Sequence, residues 1–204
     1  LPPAATNRSL APGLRHPTAE SALFLAEGLR AAAGKAGASR KAGVIMNQIT
    51  ALIPTLNEEH NLPGCLESVR WADEILVVDS FSTDRTVEIA QSFGARVIQR
   101  EYGSHASQRN WAIPQASHPW VLLLDADEQC SPELHQEIRA ILEKGPDYKL
   151  YKIHRWNYFL GHLQRHGDWG NDWVIRFFHR NSAIFEECGT FHGEIRITEP
   201  IGRL

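Results

Sequence analysis

Short apolar runs alternate with helix-spaced apolar positions from residue 48 onward. Residues 48–53 form a run from Gln48 to Ile53 that stops at Pro54, and residues 74–78, 95–98 and 120–124 repeat that form. Apolar runs of this length between polar, turn-forming residues read as buried strands. Between the first two runs, Leu62, Cys65, Leu66 and Val69 fall three and four apart, which predicts a helix with Asn61 as its cap. Val87, Ile89, Ala90 and Phe93 mark a second helix, and residues 107–116 a third. Strands alternating with helices predict an α/β fold with a mostly parallel sheet and right-handed crossovers. Residues 149–155 alternate apolar and polar, and with the strand expected at 174–178 they predict a mixed or antiparallel part toward the carboxyl end. Residues 1–45 differ: Pro and Ala dominate up to Pro17, a short helix is expected over 18–33, and Gly, Ala and Lys fill 34–43. This stretch is expected to be a disordered or incidental extension, with Met46 as the natural start and 46–204 as the folded domain.

Three of the expected strands end in polar residues at one edge: Thr55 and Asn57 after the first, Asp79 after the second, Asp125 and Asp127 after the fourth. Open α/β sheets bind ligands at their carboxyl edge. Two carboxylates one residue apart there suit a hard cation, Mg²⁺ or Mn²⁺, shared with a diphosphate. Simpler roles compete. Asp79 and Asp84 can cap the following helix, and for Asp84 capping is the expected role. Glu58 and Glu59 can sit at a helix start favoured by its dipole. Arg109 can contact a base or a phosphate, or pair with a nearby carboxylate.

The runs Ile53-Pro54-Thr55-Leu56-Asn57-Glu58-Glu59 and Val77-Val78-Asp79-Ser80-Phe81-Ser82-Thr83-Asp84, followed by Gln108-Arg109-Asn110 and Leu124-Asp125-Ala126-Asp127-Glu128, resemble a family 2 glycosyltransferase of the GT-A fold. The resemblance covers roughly residues 48–200 and is greatest to the lipopolysaccharide core β-1,4-glucosyltransferase subgroup. It implies a three-layer α/β/α sandwich and an inverting, metal-assisted transfer of a hexose, glucose above all. The donor would be a UDP-sugar and the acceptor a hydroxyl of a lipopolysaccharide-core or other glycolipid. It implies that Pro54, Thr55, Asn57, Glu58, Asp79, Arg109 and Asp125 hold the nucleotide-sugar, and that Asp127 with Asp125 holds the metal. Inversion requires a general base. Glu194, with His192 beside it, is the expected base, although Gly193 interrupts the family's His-Glu pair; Asp172, ahead of Arg176, is the alternative. A glycosyltransferase acting on polyprenyl phosphate or another glycan, or a non-catalytic nucleotide-sugar binder, are the competing readings. Family members usually continue with basic amphipathic helices, so the domain is expected to be shortened at its carboxyl end.

Composition narrows the setting. The net charge is −3 and no basic stripe occurs, which argues against nucleic acid. Cys65, Cys130 and Cys188 are odd in number and unpatterned, so reduced thiols are expected rather than a disulfide framework. Apolar runs are too short to span a bilayer. A cytoplasmic enzyme is expected, with at most peripheral contact at the inner membrane face. His154, His162, His166, His179 and His192 lack paired metal-ligand spacing. Trp156, Trp169 and Trp173 are expected in the core, with sugar stacking the alternative for Trp169 and Trp173.

Overall fold

The computed structural model describes residues 23–25, 47–187 and 194–204. In chain order the elements are β1 (Leu23–Leu25), β2 (Ile49–Thr55), α1 (Leu62–Ser68), β3 (Glu74–Asp79), α2 (Thr86–Ser92), β4 (Arg96–Gln99), α3 (His105–Ala112), β5 (Trp120–Leu123), β6 (Glu128–Gln129) and α4 (Pro132–Lys144). Then follow β7 (Leu150–Trp156), β8 (Tyr158–Phe159), β9 (His162–Leu163), β10 (Asp172–His179), β11 (Phe185–Glu186), β12 (Glu194–Ile195) and β13 (Ile201–Arg203).

The main sheet runs β4-β3-β2-β5-β10-β7-β1-β6, with β13 also beside β7. Strands β4, β3, β2 and β5 are parallel, and β10 is antiparallel to both β5 and β7. The expected parallel sheet with a mixed carboxyl-terminal part is therefore the observed one. Because side chains alternate along a strand, β2 sends Ile49, Ala51 and Ile53 to one face, where α1 and α4 bury Leu62, Leu66, Leu134 and Ile138 against them. Leu52, Leu76, Val121 and Leu123 face the other way, onto Ala106 and Ala112 of α3 and onto Phe178 and Phe185. The result is three layers, α/β/α. Cys65 and Cys130 are buried free thiols, and Cys188 lies outside the described residues.

Two local expectations are corrected. Residues 23–25 form a strand, parallel to β6 and antiparallel to β7, where a helix was expected. A three-residue pairing leaves no periodic signal in an Ala-rich stretch; the rest of 1–46 lies outside the described residues. Asn61 occupies the cap position of α1, but its side chain makes no capping bond and donates instead to Glu58 at 2.9 Å. The edge strand β13 depends on Gly202: a Cβ there would stand 2.4 Å from the Tyr151 ring, so only glycine lets β13 close onto β7 in this register.

Candidate active site

The loops after β2 and β3 are joined reciprocally. Asn57 has φ 56°, in the left-handed region that Asn tolerates better than most residues. Its N–H donates to Ser82 Oγ and its Oδ1 accepts from the Thr83 N–H, both at 2.8 Å. The Glu58 N–H donates to Thr86 Oγ1 at 2.7 Å and the Glu59 N–H to Asp84 Oδ2 at 3.1 Å, while Glu59 accepts from the Arg85 N–H. Asp84 also accepts the Thr86 N–H at the start of α2, so it has the expected capping role and bridges the loops besides. Under this junction Asp79 is fully buried. Its carboxylate accepts from the Ser82 N–H at 3.0 Å, the Gln99 amide at 2.9 Å, the Thr55 hydroxyl at 3.3 Å and, in a short bond, the Ser82 hydroxyl.

A cavity of about 310 Å³ opens beside this junction, walled by Pro54, Thr55, Leu56, Glu58 and Ser80, by His105, Gln108 and Arg109 of α3, and by Asp125, Ala126 and Asp127. Of the expected site residues, Pro54, Thr55, Glu58, Arg109, Asp125 and Asp127 are thus brought together. Asn57 and Asp79 are not on its wall. The Asp79 oxygens accept from the loop, and its neighbour Ser80 faces the cavity.

Behind the cavity runs an alternating chain of charges. Asp125 Oδ1 accepts from Arg109 at 2.8 Å and Oδ2 from Arg176 at 2.5 Å. Arg176 also donates to Glu128 Oε1 at 2.6 Å, and Arg155 links that oxygen, at 3.0 Å, to Asp172 Oδ2, at 2.6 Å. Burial acts to raise Asp125, but the guanidiniums of Arg176 and Arg109 overcome it and hold its carboxyl well below the usual range. Asp127 has the opposite surroundings. It is exposed at the mouth, and loss of solvent in the cleft, then the charges of Glu128, Asp125 and Glu58, push it up to about 6.

This asymmetry separates the two carboxylates. Both Asp125 oxygens accept from arginines. Asp127 remains: an exposed carboxylate in a field of negative charge. Among the described residues no group of three or more His, Cys, Asp or Glu side chains is placed to hold a metal. One free carboxylate fits a cation that takes its other ligands from water and substrate phosphates, as Mg²⁺ does.

A second cavity, of about 420 Å³, shares Arg109 and Asp125 with the first and contains Arg155, Asp172, Trp173 and Lys152. Asp172 is thus in reach of the same site, its Oδ2 held by Arg155 and, at 3.0 Å, by the Asn157 amide. Glu194 lies in β12, opposite Glu186, and His192 lies outside the described residues. Trp169 is 54% exposed, which corrects its expected place in the core; Trp156 and Trp173 are half-buried. Ser80, Ser82, Gln108, Glu128, Arg155 and Arg176 were not singled out as site residues. Glu128 and Arg176 had a signal, since each lies in or beside a motif and a charged residue there needs a partner.

Polar strand ends around a cleft, with one free carboxylate at its mouth, are the arrangement of open α/β proteins, which bind their ligands at the carboxyl edge of the sheet. Within that class the chain belongs to glycosyl transferase family 2, whose model matches residues 50–199, and the fold is GT-A. It is 40% identical over 113 residues to an uncharacterized glycosyltransferase of Rickettsia bellii, covering 54% of this chain and 38% of that protein. It is 32% identical over 119 residues to the lipopolysaccharide core biosynthesis glycosyltransferase LpsC of Rhizobium meliloti, covering 56% of this chain and 44% of that one. The chain thus matches less than half the length of these relatives. Among solved structures it is similar to S. aureus TarS, at 27% identity and a TM-score of 0.46 over 51% of this chain and 34% of that one. Among the described residues no helix is long and apolar enough to cross a membrane.

Proposed function

We propose that this chain transfers a hexose, glucose above all, from a UDP-sugar to an acceptor hydroxyl with inversion. The cleft beside Asp127 carries this reading: three strand ends converge on it, and its one free carboxylate stands apart from the arginine-held Asp125. In this reading the nucleoside lies along Pro54, Thr55 and Ser80, and Asp79 acts from behind by holding Ser82 and Thr55. Arg109 and Arg176 fix Asp125 so that it can accept ribose hydroxyls without moving. Asp127 holds Mg²⁺ or Mn²⁺, which when bound supplies positive charge for the departing diphosphate.

The acceptor enters from the second cavity, which meets the first at Arg109 and Asp125. In this reading Asp172, which lines that cavity, is the base. Arg155 and Asn157 hold its Oδ2, leaving Oδ1 to take the hydroxyl proton as the oxygen attacks the anomeric carbon. The name of the LpsC relative supports a lipopolysaccharide-core hydroxyl as acceptor. Asp172→Asn tests the base: it should retain UDP binding and lose transfer. Unchanged transfer in that variant, with loss in Glu194→Gln, would move the base to Glu194.

A further inference from the structure

The second cavity holds more positive charge than its ion pairs use. Arg109, Arg155 and Arg176 each meet a carboxylate. Lys152 lines the same cavity and has no ion pair among the described side chains. It is half-buried there. Strand β7 is interior, flanked by β10 and β13, and Lys152 lies directly opposite Ile175 on one side and Arg203 on the other. Its cavity wall is completed by Ile175, Ile195 and Ile197.

The residue opposite is a second cation, Arg203, which is exposed. Arg203 shares the register position of Lys152 and therefore its sheet face, and its guanidinium lies over the Trp173 ring, 5.3 Å from the centroid. Among the described residues Arg203 has no carboxylate partner either. Like charges directly opposite on neighbouring strands repel. Here Gly202 fixes that register by admitting the Tyr151 ring, so the two cations cannot slide apart. An anion between them would meet both charges, and Trp173 beside them offers an aromatic face to the rest of the ligand.

We propose that Lys152 and Arg203 bind an anionic group, a phosphate or a carboxylate, carried by the acceptor sugar. The word acceptor rests on the functional reading above; the anion site itself does not. The test is calorimetric titration with glucose, glucose 6-phosphate and glucuronate, with and without UDP and Mn²⁺, on the wild type and on Lys152→Gln, Arg203→Gln and Lys152→Arg. The wild type should prefer an anionic sugar to glucose by about tenfold or more, as charge-assisted hydrogen bonds allow. Each Gln variant should lose most of that preference and Lys152→Arg should keep it, with UDP affinity unchanged and the unliganded Gln variants melting no lower than wild type. Preference for glucose 6-phosphate over glucuronate would identify a phosphate as the group, and the reverse a carboxylate. Equal affinity for glucose and both anionic sugars, or full preference in both Gln variants, would overturn the proposal. Binding of the anionic sugar by a protein that fails to bind UDP would sink the donor reading and leave the anion site standing.

Discussion

Replacing Arg176 by Met should destabilise the domain more than any single substitution at the cavity surface. The Arg176 side chain is 5% exposed and that of Glu128 1%, and Arg176 is the group that joins Asp125 to Glu128. Removing one member of a buried charge pair leaves its partner without compensation and costs roughly 3–5 kcal/mol. For a domain of this size that corresponds to a fall in melting temperature on the order of 10 °C. The pH dependence sharpens the test. Asp125 is held below its ordinary value, so its ionisation contributes stability above about pH 4, which is lost as pH falls through the lower folded value. In Arg176→Met Asp125 keeps only Arg109 and Glu128 only Arg155, so that contribution shrinks and both carboxylates take up protons more readily. The gap to wild type should be widest at neutral pH and narrow below about pH 4. Thermal melts by circular dichroism from pH 3 to 8 would measure it. A loss under about 1 kcal/mol, the scale of a surface ion pair, or a gap independent of pH, would refute the buried-network account.

Asp127→Asn should abolish metal-dependent UDP binding yet raise the melting temperature at pH 7 to 8. The sign follows from its pKa of about 6: a carboxyl raised above its unfolded value stabilises the fold at low pH and loses that contribution as pH rises through 6. Wild-type UDP affinity in Mn²⁺ should in turn weaken as pH falls below about 6, because protons compete for Asp127; titrations at pH 5 and 7.5 would read this. Ser82→Ala removes the hydroxyl that joins Asp79 to the Asn57 N–H and should cost about 1–3 kcal/mol by denaturant titration, with weaker UDP binding. Gly202→Ala should lower the melting temperature by several degrees, since the new Cβ meets the Tyr151 ring at 2.4 Å; an unchanged melt would mean that β13 is not pinned there.

Elements built from local pattern were legible before folding was considered. The apolar runs at β2, β3 and β5 and the stripe of Leu62, Cys65 and Leu66 needed only period and length. Residues 23–25 were not, because three residues cannot show a period and their partners lie in β6 and β7. The polar strand ends pointed to this edge of the sheet, and Asp127 lines the cavity there. What stayed hidden was which carboxylates are free. Asp125 and Asp127 look alike along the chain, and only pairing with Arg109 and with Arg176, 51 residues away, separates their chemistry. The partners of Asp79 were hidden in part for the same reason: Ser82 lies in its own loop, but Gln99 becomes a neighbour only when the β3 and β4 ends meet.

Calorimetric titration of UDP into wild type and Asp127→Ala, in Mn²⁺, in Mg²⁺ and in EDTA, tests the central claim most directly. The account predicts binding by the wild type that requires the metal and is lost in Asp127→Ala, while the variant melts no lower than wild type. Absence of UDP binding by the wild type, or metal-dependent binding that survives Asp127→Ala, would contradict it.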